Sequence, residues 1–292
     1  MKHLLPILAG CLCLCGCATQ PQSEEPTLYV SIQPLRSLVR GIVGDDFAVE
    51  TLVPPGASPE TFEPTARQIA RLNRSALLFN VGLIDFETTL LPKIATPGKA
   101  VNLSDGIELL AGSCAHAHRH ADGTECTAAH GRGHGIDPHV WTSPRALRRM
   151  ADNAWAAIRR TWPDSVKYEA NYARLCDSLE ALDRRTAAKL AASGVGYFII
   201  YHPAYTYYAR DYGLRQEAIE ADGKEPSARR LAELIDRARR DGIRRIFRQR
   251  EFPASAAEAI ARDLEAEVIE VDPLQEDAIG AIDAFTDLLV KQ

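Results

Sequence analysis

The feature that most constrains this chain is a rhythm that occurs twice. Short apolar runs at 28–32, 48–53, 76–81 and 100–103 alternate with helical patterns that begin near Pro34, Pro64 and Asp85. The alternation returns with runs at 197–201, 216–219, 243–248 and 267–271. Runs that do not alternate apolar with polar residues suit parallel strands covered by helices on both faces. Between the two sets, Leu147, Met150, Ala151, Ala154, Trp155 and Ile158 recur at helical spacing. After Trp162-Pro163-Asp164 the spacing resumes with Tyr168, Tyr172, Leu175, Leu179 and Leu182. The chain is therefore predicted to be α/β, with two lobes, each a parallel sheet flanked by helices, joined by a long rigid linking helix. A helix over 164–192 would span about 40 Å, long enough to run along both lobes and to favour small tilts over twisting closure.

Composition narrows the function classes. The 34 Lys+Arg against 39 Asp+Glu give a net charge of -5, so no global field draws phosphate backbones, and a nucleic-acid partner is not expected. Pairs such as Arg148-Arg149 and Arg239-Arg240 alternate with acids and read as solvated helix faces. At the start, Lys2 and His3 precede an apolar run that ends in Gly16-Cys17 before a polar stretch, the pattern of a lipoprotein signal peptide. An earlier box at Gly10-Cys11 leaves too short an apolar core. Residues 1–16 are thus expected to be removed, Cys17 to be lipidated, and 17–27 to form a tether. The lobes are expected at 28–143 and 193–292, with linking helices over 144–192. The mature chain is expected to be extracytoplasmic, monomeric and anchored to a bacterial membrane through Cys17.

In that compartment Cys114 and Cys126, which bracket a short loop, are candidates for a disulfide. Metal-binding thiolates and free thiols are the other readings of the pair. Cys176 falls on a helical apolar face and reads as a core residue.

Five of the eight histidines, His116, His118, His120, His130 and His134, fall in the glycine-rich segment 111–135, which has no helix or strand period. Imidazoles clustered on such a loop suit weak, exchangeable capture of ions such as Zn²⁺. Just beyond it stands His139, in Asp137-Pro138-His139-Val140-Trp141. His202 follows the run 197–201, Asp272 follows 267–271, and Glu60 lies in the turn after 48–53. Ligands of open α/β sheets bind at the carboxyl ends of strands. Two imidazoles and two carboxylates are therefore expected to face a metal site in the cleft between the lobes. Each alone has a plainer reading, a structural histidine, a turn-forming aspartate or a solvated surface acid. Their shared position raises the joint one.

With these residues in view, the chain resembles the cluster A-I solute-binding proteins, the lipid-anchored or periplasmic zinc- and manganese-binding proteins of ABC importers. The resemblance is carried, in order, by Pro55-Gly56-Ala57-Ser58-Pro59-Glu60, Asp137-Pro138-His139-Val140-Trp141-Thr142-Ser143-Pro144, His202-Pro203-Ala204, Gly223-Lys224-Glu225-Pro226-Ser227 and Val271-Asp272-Pro273-Leu274. It implies metal-ligand roles for His139, His202 and Asp272. At Glu60 this chain departs from the family, which usually has His there; glutamate also ligates zinc, and its oxygen shifts preference toward Mn²⁺ or Fe²⁺. The His-rich loop resembles that of the zinc members and keeps Zn²⁺ the expected ion.

The expected function is capture of a divalent metal and its delivery to an ABC permease with its ATPase subunit, with no chemical transformation. A metal-dependent hydrolase using the same ligands is one alternative, though the chain has no HExxH, nucleophile elbow or phosphate loop. A zinc-buffering or adhesive surface lipoprotein is another.

Overall fold

The computed structural model describes residues 26–112, 135–220 and 227–291. The signal, most of the tether with Cys17, the five loop histidines His116, His118, His120, His130 and His134, and the pair Cys114 and Cys126 lie outside them.

Two four-stranded sheets, each parallel throughout, form the frame. The first has the order β2-β1-β3-β4, from β1 (Leu28–Val30), β2 (Val49–Thr51), β3 (Leu77–Asn80) and β4 (Ala100–Asn102). The second repeats that order as β6-β5-β7-β8, with β5 (Tyr197–Ile200), β6 (Arg215–Ala218), β7 (Arg245–Gln249) and β8 (Glu267–Val271). In both sheets the path turns back between the first and third strands in sequence, and the crevice outside their carboxyl ends is where such sheets bind ligands.

The first lobe carries α1 (Gln33–Val43), α2 (Ala66–Arg74), α3 (Asp85–Thr89) and α4 (Leu91–Ile94). The first apolar run stops as strand at Val30 because Gln33-Pro34 opens α1, proline being well placed at a helix start. Thr65 and Gln68 cap α2 reciprocally, side chain to backbone in each direction. After β3 the chain turns through Gly82 at φ +79°, where a Cβ would lie 2.4 Å from the Asn102 side chain, so only glycine fits. Buried Glu87 closes this turn by accepting the backbone N–H groups of Val81 (3.0 Å), Gly82 (2.7 Å), Leu83 (3.2 Å) and Ile84 (3.2 Å). Burial pushes the Glu87 carboxyl above its ordinary pKa, and these hydrogen bonds work against that rise.

Between the lobes run α5 (Pro144–Thr161) and α6 (Val166–Ser193). Ser143 caps α5 by accepting the Ala146 N–H, and Gly194, in the left-handed region at φ +70°, ends α6. At 28 residues α6 is about 42 Å long. It packs on α5, on α1 of the first lobe and on α10 (Ala278–Leu289) of the second. Cys176 is a buried free thiol on this helix. The second lobe adds α7 (Thr206–Asp211), α8 (Ala228–Arg240) and α9 (Ala254–Leu264).

One apolar core crosses from lobe to lobe. It joins Leu28 and Phe79 of the first sheet to Leu147, Ile158 and Leu182 of the connecting helices and to Phe198, Phe247 and Phe285 of the second lobe. A smaller cluster of Ile199, Leu234 and Ile260 lies under α8 and α9. Each such side chain stabilises by about 1.5–3 kcal/mol on burial, so a large rotation that opened the shared core would be costly. The cleft is held by packing as well as by its linker.

Candidate metal centre

Three side chains converge between the carboxyl ends of the two sheets. Glu60 sits in a single 3-10 turn, Pro59–Thr61, whose cap Ser58 accepts the Glu60 N–H at 3.3 Å. The ring of Phe62 meets Phe86 edge-on at 5.3 Å and pins this turn to α3. His139 precedes a second 3-10 turn, Val140–Thr142, and His202 follows β5. The Glu60 Oε1 lies 3.1 Å from His202 Nε2 and 3.6 Å from His139 Nε2, and the two Nε2 atoms are 3.2 Å apart. Ligands about 2.0–2.1 Å from a tetrahedral zinc are separated by about 3.3 Å, so this triangle has the edge lengths of one face of a zinc tetrahedron.

Each imidazole is held by a carboxylate on its far side. His139 Nδ1 lies 2.8 Å from Asp137 Oδ1, which also accepts the His139 backbone N–H at 2.8 Å. His202 Nδ1 lies 2.9 Å from Glu220 Oε1. A carboxylate facing Nδ1 requires a proton there and leaves Nε2 facing the centre of the triangle, the arrangement a metal-ligating histidine has. Gln249, fully buried, braces His202 from both sides of its peptide, accepting its N–H at 3.2 Å and donating to its carbonyl at 2.6 Å. Phe252 stacks on the His202 ring at 4.8 Å, and the Trp141 ring lies 5.2 Å from His139. Trp141 also donates to the Pro273 carbonyl at 2.9 Å, tying the lobes together beside the site.

The electrostatics favour a cation. Burial works against a charge on His202, but the hydrogen bonds to Glu220 and Glu60 outweigh it and push its pKa up to about 9. Burial also opposes ionisation of Glu60, and the hydrogen bond and charge of His202 prevail, holding that carboxyl below its ordinary range. Asp137 is likewise held low, burial being overcome by the charge and hydrogen bond of His139. The cavity among these groups is about 20 Å³. That is room for one water-sized body, not for an organic substrate.

Glu60, His139 and His202 thus come together as read from the sequence, and among the described residues they form the one group of His, Cys, Asp or Glu with metal-ligand spacing. Asp272 is not brought to them. Its Oδ1 accepts the Leu274 N–H at 2.9 Å and its Oδ2 lies 3.6 Å from Arg250 Nη1, facing a separate cavity of about 290 Å³. The Leu274 N–H and the Arg250 guanidinium together hold this carboxylate away from the triangle. The orienting roles of Asp137 and Glu220 and the brace at Gln249 were not read from the sequence. A carboxylate two residues before a histidine is a usable signal for the first, whereas Glu220 needs the β5–β6 register, in which Ile200 faces Ala218 and the next positions but one are His202 and Glu220.

Residues 28–292 match the family described as the periplasmic component A of the zinc-uptake complex, ZnuA. The chain belongs to this family. It is 28% identical over 297 residues to the zinc-binding lipoprotein AdcA of Streptococcus pneumoniae, covering 98% of this chain and 56% of that protein. It is 30% identical over 285 residues to the high-affinity zinc uptake system protein ZnuA of Bacillus subtilis, covering 92% of this chain and 87% of that one. The chain spans about half the length of the AdcA proteins it matches. A crystal structure of ZnuA superposes with a TM-score of 0.80 at 31% identity over 91% of this chain and 98% of that chain. A ZnuA deletion mutant with zinc bound does so at 0.78 and 32%, over 91% and 96%. The two parallel sheets and their connecting helices are therefore those of the ZnuA fold.

Proposed function

We propose that this chain is an extracytoplasmic solute-binding protein that captures one divalent transition metal, zinc foremost, and delivers it to the permease and ATPase of an ABC importer. Glu60, His139 and His202 are its ligands, Asp272 is the fourth donor once its present partner yields, and Cys17 carries the lipid anchor. The observation that carries this reading is the triangle of donors at 3.1, 3.2 and 3.6 Å, backed by a carboxylate behind each imidazole. The zinc named in the relatives supports the choice of ion. The small cavity favours an ion as cargo over a substrate to be hydrolysed.

Metal-stripped protein titrated with zinc by calorimetry, beside His139→Ala, tests this. The expected result is one tight equivalent in the whole chain that disappears in the variant, with weaker loop sites unchanged. Tight binding that survives in His139→Ala would place the capture site elsewhere.

A further inference from the structure

Beside the metal centre, Arg250 stands between two carboxylates. Its Nε is 3.3 Å from Glu270 Oε1 and its Nη1 is 3.6 Å from Asp272 Oδ2. The β7–β8 register explains the arrangement: Arg248 faces Glu270, and two positions on, beyond the paired strands, Arg250 comes level with Asp272. With Leu274 N–H on Oδ1 and Arg250 on Oδ2, both Asp272 oxygens are engaged. Asp272 can turn to a bound ion only by giving up at least one of them. The guanidinium is the weaker hold, since it is 61% exposed and its contact is long and single. Arg250 does not need Asp272 to remain paired, because Glu270 stays beside it.

We propose that Arg250 is a built-in competitor for Asp272, a positioning residue that sets how tightly the cargo is held and how fast it leaves. The inference rests on the reading of Glu60, His139 and His202 as the capture site. Two effects act together. Arg250 offers Asp272 an alternative cation whenever the metal bond opens, and its fixed positive charge, close to the loaded site, repels a divalent ion. A capture protein must bind from dilute solution yet surrender its cargo, and a nearby competing cation lowers the barrier to surrender without removing a donor.

Release is read as the slow phase of a stopped-flow chase of bound zinc into a chelator, with affinity by equilibrium competition. An exposed ion pair of this kind predicts that Arg250→Gln slows release and tightens zinc by about three- to fivefold. Arg250→Lys, which keeps the charge, should release at the wild-type rate. In an Asp272→Asn background, Arg250→Gln should have a clearly smaller effect, the part due to repulsion of the ion alone. An unchanged rate in Arg250→Gln, equal slowing by the lysine variant, or equal slowing without Asp272 each overturns the proposal. His139→Ala separates the two readings: if it loses the tight zinc while Arg250→Gln behaves as wild type, only the role of Arg250 falls, and if it keeps the tight zinc both fall.

Discussion

The Nε2 atoms of His139 and His202 lie 3.2 Å apart although the residues are 63 positions apart in the chain and belong to different lobes. Two imidazole nitrogens at that distance require something positive between or upon them, a proton or a metal ion. The carboxylates behind them, Asp137 and Glu220, determine which nitrogens meet.

The proton and the metal should compete at His202. Its pKa, pushed from 6.5 up to about 9, means that the metal-free site carries a proton at neutral pH. Zinc must displace it, so affinity should rise by about tenfold per pH unit between roughly 6.5 and 9 and flatten above. The simple expectation from an ordinary histidine would put the fall only near and below about 6.5; the two carboxylates move it upward. Calorimetry at pH 7.5 in buffers of different ionisation enthalpy should show close to one proton released per zinc. Without metal the sign reverses for stability: the charged His202 stabilises the fold fully below 6.5, and that contribution is lost as pH rises through about 9.

Removing an orienting carboxylate should damage the site without touching a ligand. Glu220→Gln and Asp137→Asn are each expected to weaken zinc by about 10- to 100-fold. Glu220→Gln should also reduce the proton release at pH 7.5, because His202 loses the hydrogen bond that contributes most to raising its pKa. Equal proton release in that variant would mean that Glu60 alone holds the charge.

Metal preference should turn on position 60. Glu60→Ala removes one corner of the triangle and is expected to weaken zinc strongly. Glu60→His replaces a carboxylate oxygen by an imidazole and should retain zinc while lowering the relative affinity for manganese. Competition titrations of both ions against both variants read this directly. Wild-type affinities in Glu60→Ala would remove Glu60 from the site.

Much of this was legible in the chain, and the gaps have physical causes. The doubled strand-helix rhythm is clearest at the central strands, where burial leaves no polar face to blur the pattern, as in the wholly buried runs at Leu28–Val30 and Leu77–Asn80. His202 was legible because it directly follows a strand, and Glu60 and His139 because they lie in Pro-punctuated stretches, Ser58-Pro59-Glu60 and Asp137-Pro138-His139. Asp272 looked equivalent, but its carboxylate is held by the Leu274 N–H and by Arg250 just past the neighbouring strand, and lateral register is not written in a single strand. Glu220 has the same origin. The turn at Gly82, by contrast, rests on Glu87 only five residues away, a local contact with no periodic signature.

Glu87 should matter for stability and not for capture. Glu87→Ala leaves four N–H groups at Val81 to Ile84 without their acceptor. Such losses cost about 1–3 kcal/mol per buried group before relaxation and hydration recover part, so a net loss of about 2–4 kcal/mol in urea unfolding is expected. Protein that remains folded should bind zinc as wild type does. A much weaker zinc affinity would show that the turn after β3 also shapes the cleft.

If Glu60, His139 and His202 hold the cargo, the ion must sit among their donor atoms. Anomalous diffraction at the zinc edge from crystals grown with one equivalent of zinc measures this without reference to affinity or transport. A single dominant peak is expected about 2.0–2.2 Å from His139 Nε2, His202 Nε2 and a Glu60 carboxylate oxygen. A dominant peak anywhere else, or one that leaves either imidazole outside bonding distance, would contradict it.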